Sequence, residues 1–166
     1  TSEFASEWFP ENYKIIKPSI DPLSTKNKEI SEETIENQLE KYGIDTDRPI
    51  LLQVSEFDKH KDPDGVLEVY ERISEEMDCQ LVLVGWVATD DPEGQKIYDR
   101  VSEKANGIED IHVILGANDI EINAIQRAAD VVLQKSLREG FGLAVTESMW
   151  KEKPVVGSNV GGIKTQ

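Results

Sequence analysis

From residue 49 onward, short apolar runs alternate with longer segments whose apolar residues recur every three or four positions. The runs are PILLQVS (49–55), QLVLVG (80–85), IHVILG (111–116), VVLQKS (131–136) and PVVGS (154–158). Several are apolar nearly throughout, the pattern of strands covered on both faces of a parallel sheet. Between the first two, PDGVLEVYERISEEM places Val66, Val69, Tyr70, Ile73 and Met77 at helical spacing. Ile97, Val101 and Ala105 mark a second helix, Ile120, Ala124, Ile125 and Ala128 a third, and a fourth begins near Leu143. Strand then helix, four times in succession, predicts an α/β fold with a doubly wound parallel sheet over residues 49–166.

Residues 1–48 are patterned differently. TSEFASEWFPENYKIIKPSIDPLS is rich in aromatics, Pro and Ser, with one candidate short strand at residues 13–16, and has the character of a connector. A helix follows: Ser31 can cap it, Glu32 and Glu33 suit its first turn, Ile35, Leu39 and Tyr42 share a stripe, and Gly43 can end it. At the other end the chain stops at GGIKTQ, where a doubly wound sheet ordinarily goes on to a further helix. A domain incomplete at its C-terminus is therefore expected.

Composition narrows the partners. Of the 166 residues 38% are hydrophobic, enough for a real core, while 33 Asp and Glu against 18 Lys and Arg give a net charge of -15. Such a charge repels phosphate backbones and anionic lipid, so nucleic acid and membrane surfaces are not the expected partners. Any anionic ligand must be held by a few local cations and backbone N–H groups. Cys79 is the only cysteine, which excludes an intramolecular disulfide and suits a cytoplasmic location. His60 and His112 lie far apart, as edge or surface residues would, and no metal-ligand spacing is present.

The chemistry concentrates after the fourth run, in SLREGFG (136–142). Glycines let backbone approach a ligand, and the N–H groups of the helix that follows favour an anion. On spacing alone the segment reads equally well as a turn with two solvated glutamates, Glu139 and Glu147. A dinucleotide fingerprint does not fit, because Val145 takes its third glycine position and the motif follows the fourth run rather than the first. The Walker pattern is absent too. Two carboxylates around an anion-binding turn make sense when the ligand also presents hydroxyl pairs, as a nucleotide sugar does.

Glu139-x7-Glu147, Met149-Trp150 and KEKPVVGSNVGGIK resemble the donor site of retaining glycosyltransferases of family four, which have the two-domain GT-B fold. PSIDPLSTKN (18–27), DDPEG (90–94) and AIQRAADVVLQKSLREGFGLAVTESMWKEKPVV are similar to its trehalose-forming branch, which joins a nucleoside-diphosphate glucose to glucose. The resemblance implies a Rossmann-like C-terminal, donor-binding domain, an acceptor-binding domain before it, and no metal or other cofactor. It implies Glu139 against the donor sugar, Glu147 on the ribose, and the backbone of Gly140, Phe141, Gly142 and Leu143 along sugar and diphosphate. Glu139 is also expected to stabilise positive charge on the reacting sugar.

In the loop after the first run, SEFDKHKDP (55–63), Ser55 and Lys61 match family positions, with Lys61 set to neutralise the leaving diphosphate. Where the family generally has arginine this chain has Glu56, which would repel the diphosphate unless Lys59 or Arg138 compensates. Trp86, Asp90, Asp91 and residues 116–119 are either structural or cleft lining, and Trp150 is expected in the core. The resulting expectation is the donor half of a retaining glucosyltransferase, inactive alone, with a nucleotide sugar and a small sugar acceptor as partners and a homodimer of the longer protein left open. Two alternatives remain: trehalose phosphorylase, and a noncatalytic nucleotide-binding or interaction domain whose site has degenerated at Glu56.

Overall fold

The computed structural model describes residues 14, 16–88 and 92–166. Its strands, β1 (Ile50–Glu56), β2 (Gln80–Trp86), β3 (Ile111–Leu115), β4 (Val131–Gln134) and β5 (Val155–Gly157), fall on the five apolar runs. They form one parallel sheet in the order β3-β2-β1-β4-β5. The chain steps from β1 towards β3 on one side, then returns to lay β4 on the other. That reversal opens a crevice between the carboxyl ends of β1 and β4, where the loops part in opposite directions.

Among the described residues, five helices cover the sheet: α1 (Glu32–Glu40), α2 (Pro63–Ser74), α3 (Pro92–Ala105), α4 (Asp119–Ala128) and α5 (Leu143–Trp150). Alternation along β1 divides the core between the two faces. Ile50, Leu52 and Val54 pack with Val82, Val84, Ile114 and Val132 against Leu39 of α1 and Ile122 and Ile125 of α4. Leu51 joins Leu81, Leu83, Ile111 and Leu133 under Val66 and Tyr70 of α2 and Ile97 and Val101 of α3. Both faces are apolar because both are covered, which is why the runs read as continuous.

Local signals set the helix ends. The Ser31 hydroxyl accepts from the Thr34 N–H at 3.2 Å, as its capping position requires, and Gly43, at φ +67°, turns the chain after α1. In α4, Asn118 and Glu121 form a reciprocal capping box. Three sequence expectations need correction. α2 stops at Ser74, so Met77 lies beyond it and is half exposed, while Leu67 joins the buried stripe. In α4 the buried face is centred on Ile122 and Ile125, with Asn123 and Gln126 buried as hydrogen-bonding groups. Trp150 is 54% exposed, because Val145, Ser148 and the adjoining Lys151 take the inward face of α5. The strand expected at residues 13–16 lies largely outside the described residues, and the described Lys14 and Ile16 are in no strand.

Candidate functional site

A cavity of about 260 Å³ opens at the carboxyl ends of the strands. β1 contributes Val54, Ser55 and Glu56, β2 contributes Trp86, and β4 contributes Gln134. The loop after β4 adds Glu139 and Gly142, and α5 adds Leu143, Ala144 and Glu147. Gly142 occupies the N-cap of α5 at φ +88°, a conformation that suits glycine, and no side chain caps the helix. The first residues of α5, Leu143 and Ala144, thus line the cavity at a helix N-terminus without a side-chain cap, the arrangement that favours an anion.

Each of the two glutamates is held by a lysine. Lys61 Nζ lies 2.6 Å from Glu139 Oε2, with the two side chains 20% and 9% exposed. Gln134 Nε2 and Ser136 Oγ donate to the same oxygen at 3.3 Å, and the Gly140 N–H donates to Oε1 at 3.1 Å. Lys61 is itself fixed from below, since the buried Gln53 side chain on β1 donates to its carbonyl at 2.8 Å. The loops after β1 and β4 are stitched together by the Leu137 N–H, which donates to His60 O at 2.7 Å. Glu147, buried on α5, pairs with Lys26 at 2.9 Å and accepts from Gln126 Nε2 at 3.3 Å.

Of the residues singled out in the sequence, Ser55, Glu56, Lys61, Glu139, Gly142, Leu143 and Glu147 line this one cavity, as does Trp86. Arg138, Gly140 and Phe141 are not among its lining residues. Glu56 accepts a hydrogen bond from the Trp86 indole N–H at 3.1 Å. Lys59 does not compensate for it: its ammonium pairs with Glu93 on α3 at 3.0 Å, away from the cleft. Asp90 and Asp91 lie outside the described residues, and Asn118 serves as the cap of α4. Among the described residues no cluster of three His, Cys, Asp or Glu side chains could hold a metal, and no helix is long and apolar enough to cross a membrane.

Sequence reasoning missed Lys26 and Gln134. Gln134 shows itself as a polar residue inside an apolar run; its Oε1 is buried with no hydrogen-bond partner. Lys26 gave no periodic signal, since it sits in an irregular loop. Behind it, Lys151 is 4% exposed and donates to Asn27 Oδ1 at 2.9 Å and Glu147 O at 3.4 Å. Burial pulls its ammonium down to about 8, with Glu147 opposing and Arg127 and Lys26 reinforcing the shift.

The loop 157–162 backs the motif loop so closely that side chains are excluded. A Cβ on Gly161 would lie 1.7 Å from Glu139 O, and one on Gly162 would lie 2.4 Å from the Phe141 Cα. Gly161 and Gly162, the last two residues of GSNVGG, thus let the backbone carrying Glu139 rest against a second loop.

Fold and cleft together define the class, a Rossmann-like α/β domain with a polar, acid- and lysine-lined cleft at the carboxyl ends of its strands. The chain belongs to the family described as Glycosyl transferases group 1, whose profile matches residues 34–166. It is 51% identical over 160 residues to a trehalose synthase of Thermococcus litoralis, an alignment covering 94% of this chain and 39% of that protein. It is 33% identical over 137 residues to a trehalose phosphorylase of Pleurotus pulmonarius, covering 72% of this chain and 18% of that one. Among solved structures it resembles a glycosyltransferase from Rickettsia africae ESF-5 with TM-score 0.69 and 23% identity, over 80% of this chain and 34% of that one. Its structural neighbours are GT-B glycosyltransferases, and the chain spans 39% of the length of the synthase it matches.

Proposed function

We propose that this chain is the donor-binding part of a retaining glucosyltransferase that moves glucose from a nucleoside-diphosphate glucose to a sugar acceptor, glucose itself, giving trehalose. One observation carries the reading: Glu139 and Glu147 line the same cavity beside the uncapped N-terminus of α5, each opposite a lysine. Carboxylates suit sugar and ribose hydroxyls, while the helix N-terminus and lysines suit the diphosphate. Glu139 lies against the glucosyl unit and Glu147 holds the ribose. The backbone of Gly140, Phe141, Gly142 and Leu143 follows the sugar and diphosphate, Ser55 bounds the cleft on the β1 side, and Arg138, in the same loop as Glu139, is a further donor-binding cation. Lys61 stabilises the leaving diphosphate electrostatically, without metal, and the acceptor enters on the face from which the diphosphate departs. The partners are thus a nucleotide sugar and a small sugar.

The decisive experiment is a donor and acceptor screen on the longer protein that contains this chain. Nucleotide-dependent synthesis of trehalose is the expected result. Phosphate-dependent cleavage of trehalose without nucleotide would assign a phosphorylase instead. A second reading has one observation in its favour: Glu56 lines the cavity and, among the described residues, makes no ion pair, so its charge opposes a diphosphate. At about 4 Å and an effective dielectric near 20 such repulsion is roughly 4 kcal/mol. If the noncatalytic reading holds, no nucleoside diphosphate binds the wild type and Glu56→Arg creates binding.

A further inference from the structure

We infer that Lys26 is a diphosphate-binding group of the cleft, delivered by a strap from the segment before β1, and that ribose hydroxyls replace its ammonium on Glu147 when it turns to phosphate. This rests on the nucleotide-sugar reading of the cleft and adds to it a residue, inside the PSIDPLSTKN segment, to which sequence patterning assigns no role.

The strap comprises residues 21–28. It is closed on itself, with the Leu23 N–H donating to Asp21 Oδ1 at 2.9 Å and Asn27 Nδ2 donating to Asp21 O at 3.0 Å. Two helices then clamp it. From α4, Asn123 Nδ2 donates to Thr25 O at 2.9 Å and Lys28 O at 2.8 Å, and Arg127 donates to Asn27 O at 3.1 Å. From beyond α5, Lys151 donates to Asn27 Oδ1 at 2.9 Å. Every anchor falls on a main-chain carbonyl or on Asn27, so residues on either side of Lys26 are fixed while its own side chain enters the cavity. A lysine needed only as a counter-ion could sit on any flexible loop; this one is placed by side-chain hydrogen bonds from Asn123, Arg127 and Lys151.

Charge supplies the second half of the inference. Among the residues that line the cavity there are two lysines, Lys26 and Lys61, against three glutamates, Glu56, Glu139 and Glu147. With each lysine committed to a glutamate, the lining has no cation left for a diphosphate. Hydroxyls resolve the conflict, because as neutral donors they satisfy the carboxylates and release both ammonium groups to phosphate oxygens. Around Glu147 the balance is locally favourable, since Lys26 pairs with its carboxylate and Lys151, on which Glu147, Arg127 and Lys26 all act, donates to its main-chain carbonyl. At 24% exposure the Lys26 side chain remains reachable from the cavity.

The test is calorimetric titration of this chain, as wild type, Lys26→Met and Lys26→Arg, with uridine, adenosine and guanosine diphosphates, each beside its parent nucleoside. Loss of a charge-assisted hydrogen bond to phosphate should weaken the diphosphate bound by wild type about tenfold or more in Lys26→Met. Nucleoside binding should change little, and Lys26→Arg should recover most of the loss. If wild type binds a diphosphate and Lys26→Met binds it equally well, or loses nucleoside and diphosphate in equal measure, Lys26 is only a counter-ion or a structural group and the inference fails. If wild type binds no diphosphate, the functional reading fails and this inference with it.

Discussion

Glu139 shows how a single side chain is made ready. Its carboxylate receives Lys61, Gln134, Ser136 and the Gly140 N–H, so both oxygens are engaged at defined positions. Ordering of this kind before substrate arrives is what electrostatic stabilisation of a transition state requires. Substituting Glu139→Gln in the longer protein should lower kcat by about a hundredfold or more, the scale of losing one preorganised charged group, while donor KM moves little. Steady-state kinetics checks this, and an unchanged kcat would remove Glu139 from the chemistry. Away from the site, His112 on the edge strand is held below its ordinary ionisation range chiefly by burial, while its ring contacts Tyr42 O at 3.2 Å. Its folded value is lower than its unfolded one, so the unfolded chain takes the proton first. Stability should therefore fall as pH drops below about 6.5. A His112→Gln variant should lose that part of the acid sensitivity in thermal melts between pH 7 and 5, pH values chosen to bracket about 6.5.

At the scale of elements, the site depends on contacts between loops that are remote in sequence. Gly161, at φ +47°, sits where a Cβ would collide with the Glu139 carbonyl. Gly161→Ala must therefore displace the loop that carries Glu139, and both strain and clash act in the same direction. A loss of about 1–3 kcal/mol in stability is expected, accompanied by a fall in turnover of the longer protein. Retained turnover with a lowered melting temperature would show that the two loops need not touch for catalysis. The strap makes a pH-dependent prediction through Lys151. Its folded value of about 8 lies below the ordinary 10.5, so between those limits the unfolded chain binds more protons and stability rises with pH. Below pH 8 both states are protonated and the group contributes no slope. Relative to Lys151→Met, the wild type should gain roughly 1 kcal/mol from pH 8 to pH 9, read from denaturant midpoints at each pH. A constant difference would mean that the ammonium is not desolvated by the strap.

For the molecule as a whole, stability resides in the two apolar faces of one sheet. Leu52, fully buried between β2 and β4 beneath α4, belongs to one face only, and Leu52→Ala should cost about 2–5 kcal/mol, a large part of the stability of a single domain, read from the denaturant midpoint. The pattern of strands and helices was legible because covered strands are apolar on both faces and helices on one stripe. Ser31, Gly43 and the five runs each announced their structure locally. Met77 and Trp150 were misread because periodicity gives spacing but not the register of the buried stripe or the point where a helix stops. α1 was legible as a helix, yet only packing against α4 shows that Leu39 and Ile44 belong to the core.

The sequence by itself determined the fold class and one half of the cleft. Hydrophobic period is a local property, and Glu139, the glycines and Glu147 lie within one loop and one helix turn, so their chemistry could be read along the chain. Tertiary structure decided which charges oppose them. Lys59 and Lys61 stand two residues apart, yet the short turn between them sends one to Glu93 and the other to Glu139. Lys26 reaches Glu147 only because α4 and α5 hold a strap from the far end of the chain. Ion pairing depends on through-space distance, which residue spacing does not encode, and that is why the carboxylates and Lys61 were visible in the sequence while the pairings, and Lys26, were not.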